Sequence, residues 1–190
     1  MTINQISVFL ENRPGQLANI CRTLAEADIS IVTLSLADTA EFGIVRMIVS
    51  DHDKAKEVLK KGGHVANMRE VVAVTVPDRP GGMAEILDVL DAAKVDIEYS
   101  YAFAFHHGEK AVLVFRFDDN ENACRALAEA GHDVLDAAKV DIEYSYAFAF
   151  HHGEKAVLVF RFDDNEKACA ALAAAGHPVL DFKSVLDEAK

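Results

Sequence analysis

Residues 9–20 read FLENRPGQLANI and residues 75–86 read TVPDRPGGMAEI. In the first, ISVFL alternates with period two, ENRPG turns, and Leu17, Ile20, Cys21 and Leu24 fall at i, i+3, i+4 and i+7 on one helical face. The second junction lies 66 residues further on, and the offset extends beyond it: Ala18 matches Ala84, Ile20 matches Ile86, Leu24 matches Leu90 and Ile31 matches Ile97. The chain is a diverged tandem repeat, and the junction fixes how each repeat begins.

Working outward from the first junction, ISIVTLSLA and FGIVRMIVS read as two strands around a turn at DTAE. A helix over about 51–61 follows, stopped by Gly62 and Gly63, and a short strand near 65–67 closes the order β-α-β-β-α-β. The second unit repeats this with strand 71–76, helix 83–93 and strands 95–105 and 111–117. The expected class is α+β, with two ferredoxin-like units in tandem, one over 1–69 and the other over 70–190.

A second repeat is superposed on the first. Residues 88–132 recur as 133–177, differing only at Asn122 against Lys167, Arg125 against Ala170 and Glu129 against Ala174. These positions are spaced by three and four, so all three changes share one helical face. Identity elsewhere with changes confined to one stripe reads as a constructed duplication rather than drift. The duplication is expected to enlarge the second unit by a strand-strand-helix segment. The helix beginning near Asn120 is expected to run through Gly131 towards Lys139, because Ala123, Leu127, Ala130, Val134 and Ala138 keep a helical stripe. In the second copy, Pro178 predicts a chain break and a final strand.

Composition excludes several functions. A formal charge of −12 without a basic stretch disfavours a phosphate backbone as partner, so nucleic acid is not expected. No apolar run approaches the roughly 20 residues of a membrane helix. MTINQISVFLENRPG lacks the order of a signal peptide, which predicts a cytoplasmic protein with no membrane partner. Cys21, Cys124 and Cys169 stand alone in helical segments and read as reduced core thiols. There is no nucleophile elbow, phosphate loop or zinc-protease motif, and neither catalysis nor a cofactor is expected.

The junctions themselves carry chemistry. Glycine after proline lets the chain turn tightly into a helix, leaving the first amides to meet an incoming acceptor. The partial positive charge of the helix N-terminus favours a carboxylate at 15–17 and at 81–83. The alternative is a plain strand-to-helix connection with Arg13 and Arg79 solvated.

The two junctions resemble the signature of ACT domains, regulatory modules that bind amino acids and related metabolites, and the tandem resembles the stand-alone two-ACT proteins. The resemblance covers the chain apart from the 45-residue insertion. It implies ligand-binding roles for Asn12, Arg13, Gly15, Gln16 and Leu17 in the first unit and for Asp78, Arg79, Gly81, Gly82 and Met83 in the second. In ACT proteins the ligand lies where such a loop faces a strand of a neighbouring domain. Asp78 departs from Asn12: it repels a carboxylate but suits an ammonium group. The expected partners are an amino acid or related small carboxylate, a regulated metabolic enzyme, and a second copy of the chain in a homodimer or a domain-swapped oligomer.

The stretch IEYSYAFAF, at 97–105 and again at 142–150, places Ile97, Tyr99, Tyr101, Phe103 and Phe105 on one face and Glu98, Ser100, Ala102 and Ala104 on the other. Its aromatic face reads as core or as packing against another domain. His106 and His107 suggest a metal, but adjacent residues at a hairpin tip diverge, and HHGEK reads as a polar turn with no metal. Two functions from different classes remain: a ligand sensor, and an engineered fold-extension scaffold that has lost ligand binding.

Overall fold

The computed structural model describes residues 2–38, 41–107, 110–136 and 164–180. The chain forms two compact units, Met1–Ala147 and Phe148–Lys190. The first contains β1 (Ile3–Glu11), α1 (Gln16–Glu26), β2 (Ile31–Asp38), β3 (Phe42–Val49), α2 (His52–Lys61), β4 (Val65–Pro77), α3 (Gly82–Ala92), β5 (Ile97–His107), β6 (Lys110–Phe117), α4 (Asn120–Glu129) and β7 (Val134–Leu135). The second contains α5 (Asn165–Ala174).

The strands form one antiparallel sheet in the order β2-β3-β1-β4-β6-β5, with β7 also on β4. The strands expected at 65–67 and 71–76 are a single strand, β4, of 13 residues. Its first half pairs with β1, from Phe9↔Val65 to Ile3↔Val71, and its second half with β6, from Val72↔Phe115 to Pro77↔Lys110. Where β1 stops, β7 takes over, with Ala73↔Leu135 and Val74↔Val134. Each half thus has the ferredoxin-like order, β4-β1-β3-β2 and β7-β4-β6-β5, and the expected class is observed.

Two cores lie beneath the helices. Ile6, Val8, Ile20, Leu24, Met47 and Leu59 are buried together in the first half. Val72, Val74, Ile86, Leu90, Phe115 and Leu127 are buried together in the second. The stripe predicted for α1 is observed, with Ile20 and Leu24 buried. Phe115 and Phe117, two apart on one face of β6, stack at 5.4 Å between ring centres.

The chain after α4 departs from one expectation. The helix does not run through Gly131: α4 ends at Glu129, Gly131 takes φ +85°, and His132 N–H returns to Leu127 C=O at 2.9 Å. That left-handed glycine and its backward hydrogen bond form a helix stop, and they release the next residues to reach β4. After the same stop at Gly176, residues 177–180 form no strand and Val179 is 47% exposed; the rest of the expected final strand falls beyond 180, outside the described residues. The triplet Asp-Val-Leu lies in α3 at 88–90 but forms the approach and strand of β7 at 133–135, so identical letters take the structure their surroundings offer. Strands expected from the second copy fall at 142–162, outside the described residues. The helix α5 buries none of its residues, whereas its counterpart α4 buries Ala123 and Leu127.

The face of the sheet away from the helices is also covered. Gln5 is wholly buried there, donating from Nε2 to Tyr99 Oη at 2.9 Å and to Ser7 Oγ at 3.0 Å, and accepting from Tyr101 Oη at 2.8 Å. The sheet curls so that β5, the edge of the second half, meets β1 of the first. The tyrosines of the repeated stretch therefore serve interdomain packing, one of the expected roles. Ile97 departs from its predicted face, because a register shift between Ile97 and Tyr99 pairs Ile97 with Phe117 and Tyr99 with Arg116.

Candidate functional site

Among the described residues, each of the five helices starts either with an acidic cap or with a glycine, and the difference falls at the two junctions. At α2, α4 and α5 the caps Asp51, Asp119 and Asp164 each accept an amide N–H from the first turn, at 2.9–3.0 Å. At α1 and α3 the caps are Gly15 and Gly81, with φ +86° and +90° and no side-chain hydrogen bond. The turn into α1 is held by Arg13 N–H to Glu11 C=O at 2.8 Å and Gln16 N–H to Arg13 C=O at 3.3 Å, and helical bonding resumes at Asn19. The amides of Leu17 and Ala18 are thus left for an outside acceptor. The turn into α3 repeats this, with Arg79 N–H to Pro77 C=O at 2.9 Å and Gly82 N–H to Arg79 C=O at 3.0 Å, leaving Met83 and Ala84.

The two loops differ in charge. α1 has no acidic residue in its first turn, whereas α3 has Glu85, which receives Arg79 at 2.7 Å. Arg13 instead turns back to Glu11 at 3.2 Å, both side chains being exposed. Asn12 donates its amide to Glu41 C=O at 2.9 Å, tying the first loop to the start of β3. Gln16 and Leu17 are half-buried, and Leu17 packs on the first core. Gly82 is buried against the backbone: a Cβ there would lie 2.0 Å from the Pro77 carbonyl oxygen. Met83 is 41% exposed at the mouth of its loop.

The fold does not bring the ten residues together. β1 and β4 are antiparallel, so the loops following them lie at opposite ends of the sheet. The 13 residues of β4 separate them by about 40 Å along the strand. Each loop stands apart, with its own helix N-terminus.

Sequence reading missed a second polar region. On the curled face lies a hollow of about 120 Å³ lined by Arg46, Arg69, Arg116, Glu98 and Tyr99, with Phe9 at its edge. Its signal was present as polar residues at alternate positions of buried strands, Ser7, Arg46 and Asn67, which face one another in register. Glu98 shares the hollow with Tyr99, although strict alternation separates them, because of the irregularity beside Tyr99.

Cys21 and Cys124 are half-buried, and burial pushes both thiols above their ordinary range. Cys169 is exposed, against the expectation of a core thiol. Among the described residues no three His, Cys, Asp or Glu side chains gather as for a metal, and no helix is long and apolar enough to cross a membrane. The side chains of His106 and His107 lie outside the described set.

Two βαββαβ halves on a shared strand, each with a glycine-capped helix after its first strand, define a tandem of ferredoxin-like modules. The chain belongs to the ACT domain pair family, whose model matches residues 1–133. The match ends two residues before the close of β7. Among solved structures, the chain is similar to protein BT0572 from Bacteroides thetaiotaomicron, at 37% identity and TM-score 0.69 over 74% of this chain and 96% of that one. It is also similar to the regulatory subunit of aspartate kinase from Thermus thermophilus in its ligand-free form, at 21% identity and TM-score 0.49 over 67% and 92%. A search of curated proteins found no match.

Proposed function

We propose that this chain is a non-catalytic regulatory protein that binds an amino acid or a related small carboxylate through its glycine-capped helix N-termini and passes the signal to a metabolic enzyme. One observation carries the reading: α2, α4 and α5 cap their amides with an aspartate, whereas α1 and α3 leave them open beside Arg13 and Arg79. ACT domains are regulatory modules, and membership of the ACT domain pair family supports the same role. The first loop is the stronger carboxylate site, because Glu85 and Asp78 place negative charge at the second. The second loop in turn suits the ammonium end of an amino acid. The reading places the protein in the cytoplasm, with a second copy of the chain or a strand of the target enzyme completing each half-site.

Calorimetric titration with each common amino acid tests this, using the intact chain beside a chain lacking 88–132. Saturable binding that is lost on Gly15→Val, in a protein that still unfolds cooperatively, supports the reading. Absence of binding by both chains overturns it.

A second reading has one observation in its favour. The helix α5 repeats α4 almost letter for letter yet buries nothing, as expected of a constructed duplication that tests whether a fold accepts an added segment. Binding by the shorter chain alone would favour this scaffold reading.

A further inference from the structure

We propose that the hollow on the curled face of the sheet is a second ligand site, independent of the two loops, for a small dianionic oxyanion carrying an apolar group: a phosphate monoester of modest size. The chain is strongly acidic, at −12, yet the lining of this hollow contains three arginines and one glutamate. The arginines come from three strands of both halves, β3, β4 and β6, so the site exists only in the assembled pair.

Two of the guanidinium groups are positioned in advance. Arg46 lies over the Tyr99 ring, 4.1 Å from its centre, which holds the plane while leaving the N–H edges to donate. Arg116 donates from Nη1 to Glu70 C=O at 2.8 Å and lies 3.5 Å from Glu98. Arg69 is exposed, and its recorded bond is a long one to Met68 C=O at 3.3 Å, so it is available to close on an anion. Glu98 offsets one of the three charges, and two remain, which is the charge of a phosphate monoester. Paired N–H donors on planar guanidinium groups match phosphate oxygens, and Asn67 adds an amide at the rim. Phe9, 47% exposed, and Ile44 form an apolar wall beside the arginines and account for the apolar group. The volume, about 120 Å³, suits a phosphate with part of its substituent.

The test is titration of the full chain with phenyl phosphate and with inorganic phosphate, followed by calorimetry and by the shift in thermal midpoint. Phenyl phosphate is expected to bind at one site, more tightly than inorganic phosphate, and to weaken as salt is raised. Arg46→Gln and Arg69→Gln should each reduce affinity at least tenfold, whereas Arg22→Gln, which removes an equal charge from α1, should leave it unchanged. Arg69 is exposed, so its variant tests the site without disturbing packing. No saturable binding, or binding that all three substitutions weaken equally, would overturn the proposal. Loss of phenyl phosphate binding in Gly15→Val but not in Arg69→Gln would also overturn it, by assigning the anion to the α1 loop.

Discussion

Tyr101 donates its hydroxyl proton to Gln5 Oε1 at 2.8 Å, joining residues 96 positions apart in the chain and in different halves of the sheet. Gln5 is wholly buried, and its amide also donates to Tyr99 and Ser7. Gln5→Ala leaves the hydroxyls of two half-buried tyrosines without this partner and opens a void. The expected loss is about 2–4 kcal/mol, read from urea unfolding followed by tyrosine fluorescence. A change below about 0.5 kcal/mol would mean that the network adds nothing to the union of the halves.

Burial pushes the Tyr101 hydroxyl well above the ordinary range for tyrosine, and the neighbouring Tyr99 adds to the effect. Below about pH 10 both folded and unfolded chains keep this proton, so its contribution is constant. Above that pH the unfolded chain releases the proton while the folded chain retains it, and stability falls as pH rises towards the folded pKa. Tyr101→Phe is expected to flatten the alkaline limb of a plot of urea midpoint against pH between 8 and 11. An unchanged slope would contradict the assignment.

The glycines of the two loops should respond unequally. Gly15→Ala meets open space and costs only the strain of a left-handed backbone, about 1 kcal/mol. Gly82→Ala forces a Cβ against the Pro77 carbonyl and should cost more than about 3 kcal/mol, or prevent the second half from folding. Thermal unfolding of the two variants side by side decides between them, and equal midpoints would refute the geometry of the α3 junction.

A chain ending at Asp136 contains every strand among the described residues. It is expected to unfold in one cooperative transition, with a stability within about 0.5 kcal/mol of the longer chain. A truncated chain that fails to fold would show that residues after 136 support the first unit.

Much of this was legible because the signals were local. The junctions at Arg13-Pro14-Gly15 and Arg79-Pro80-Gly81 announced where each helix begins, and Gly62 and Gly63 where α2 ends. The single run of β4 was hidden because its two halves serve different neighbours, so the pattern of burial changes midway, near Val71. The stop at Gly131 was masked by apolar spacing that happened to continue across it, since a stripe does not reveal a backbone that has turned left-handed. Of the candidate site, the loops could be read as a motif. The hollow could not, because Arg46, Arg69 and Arg116 are brought together by register and by curling of the sheet.

The strand β4 belongs to both halves, as the last strand of one and the first of the other. There is accordingly no hinge on which one ACT module can swing against its partner, and the two cannot part without tearing the backbone pairing of at least one sheet. A ligand bound at either loop, as proposed, would act through torsion of this common beam, changing the twist of the other half rather than its distance.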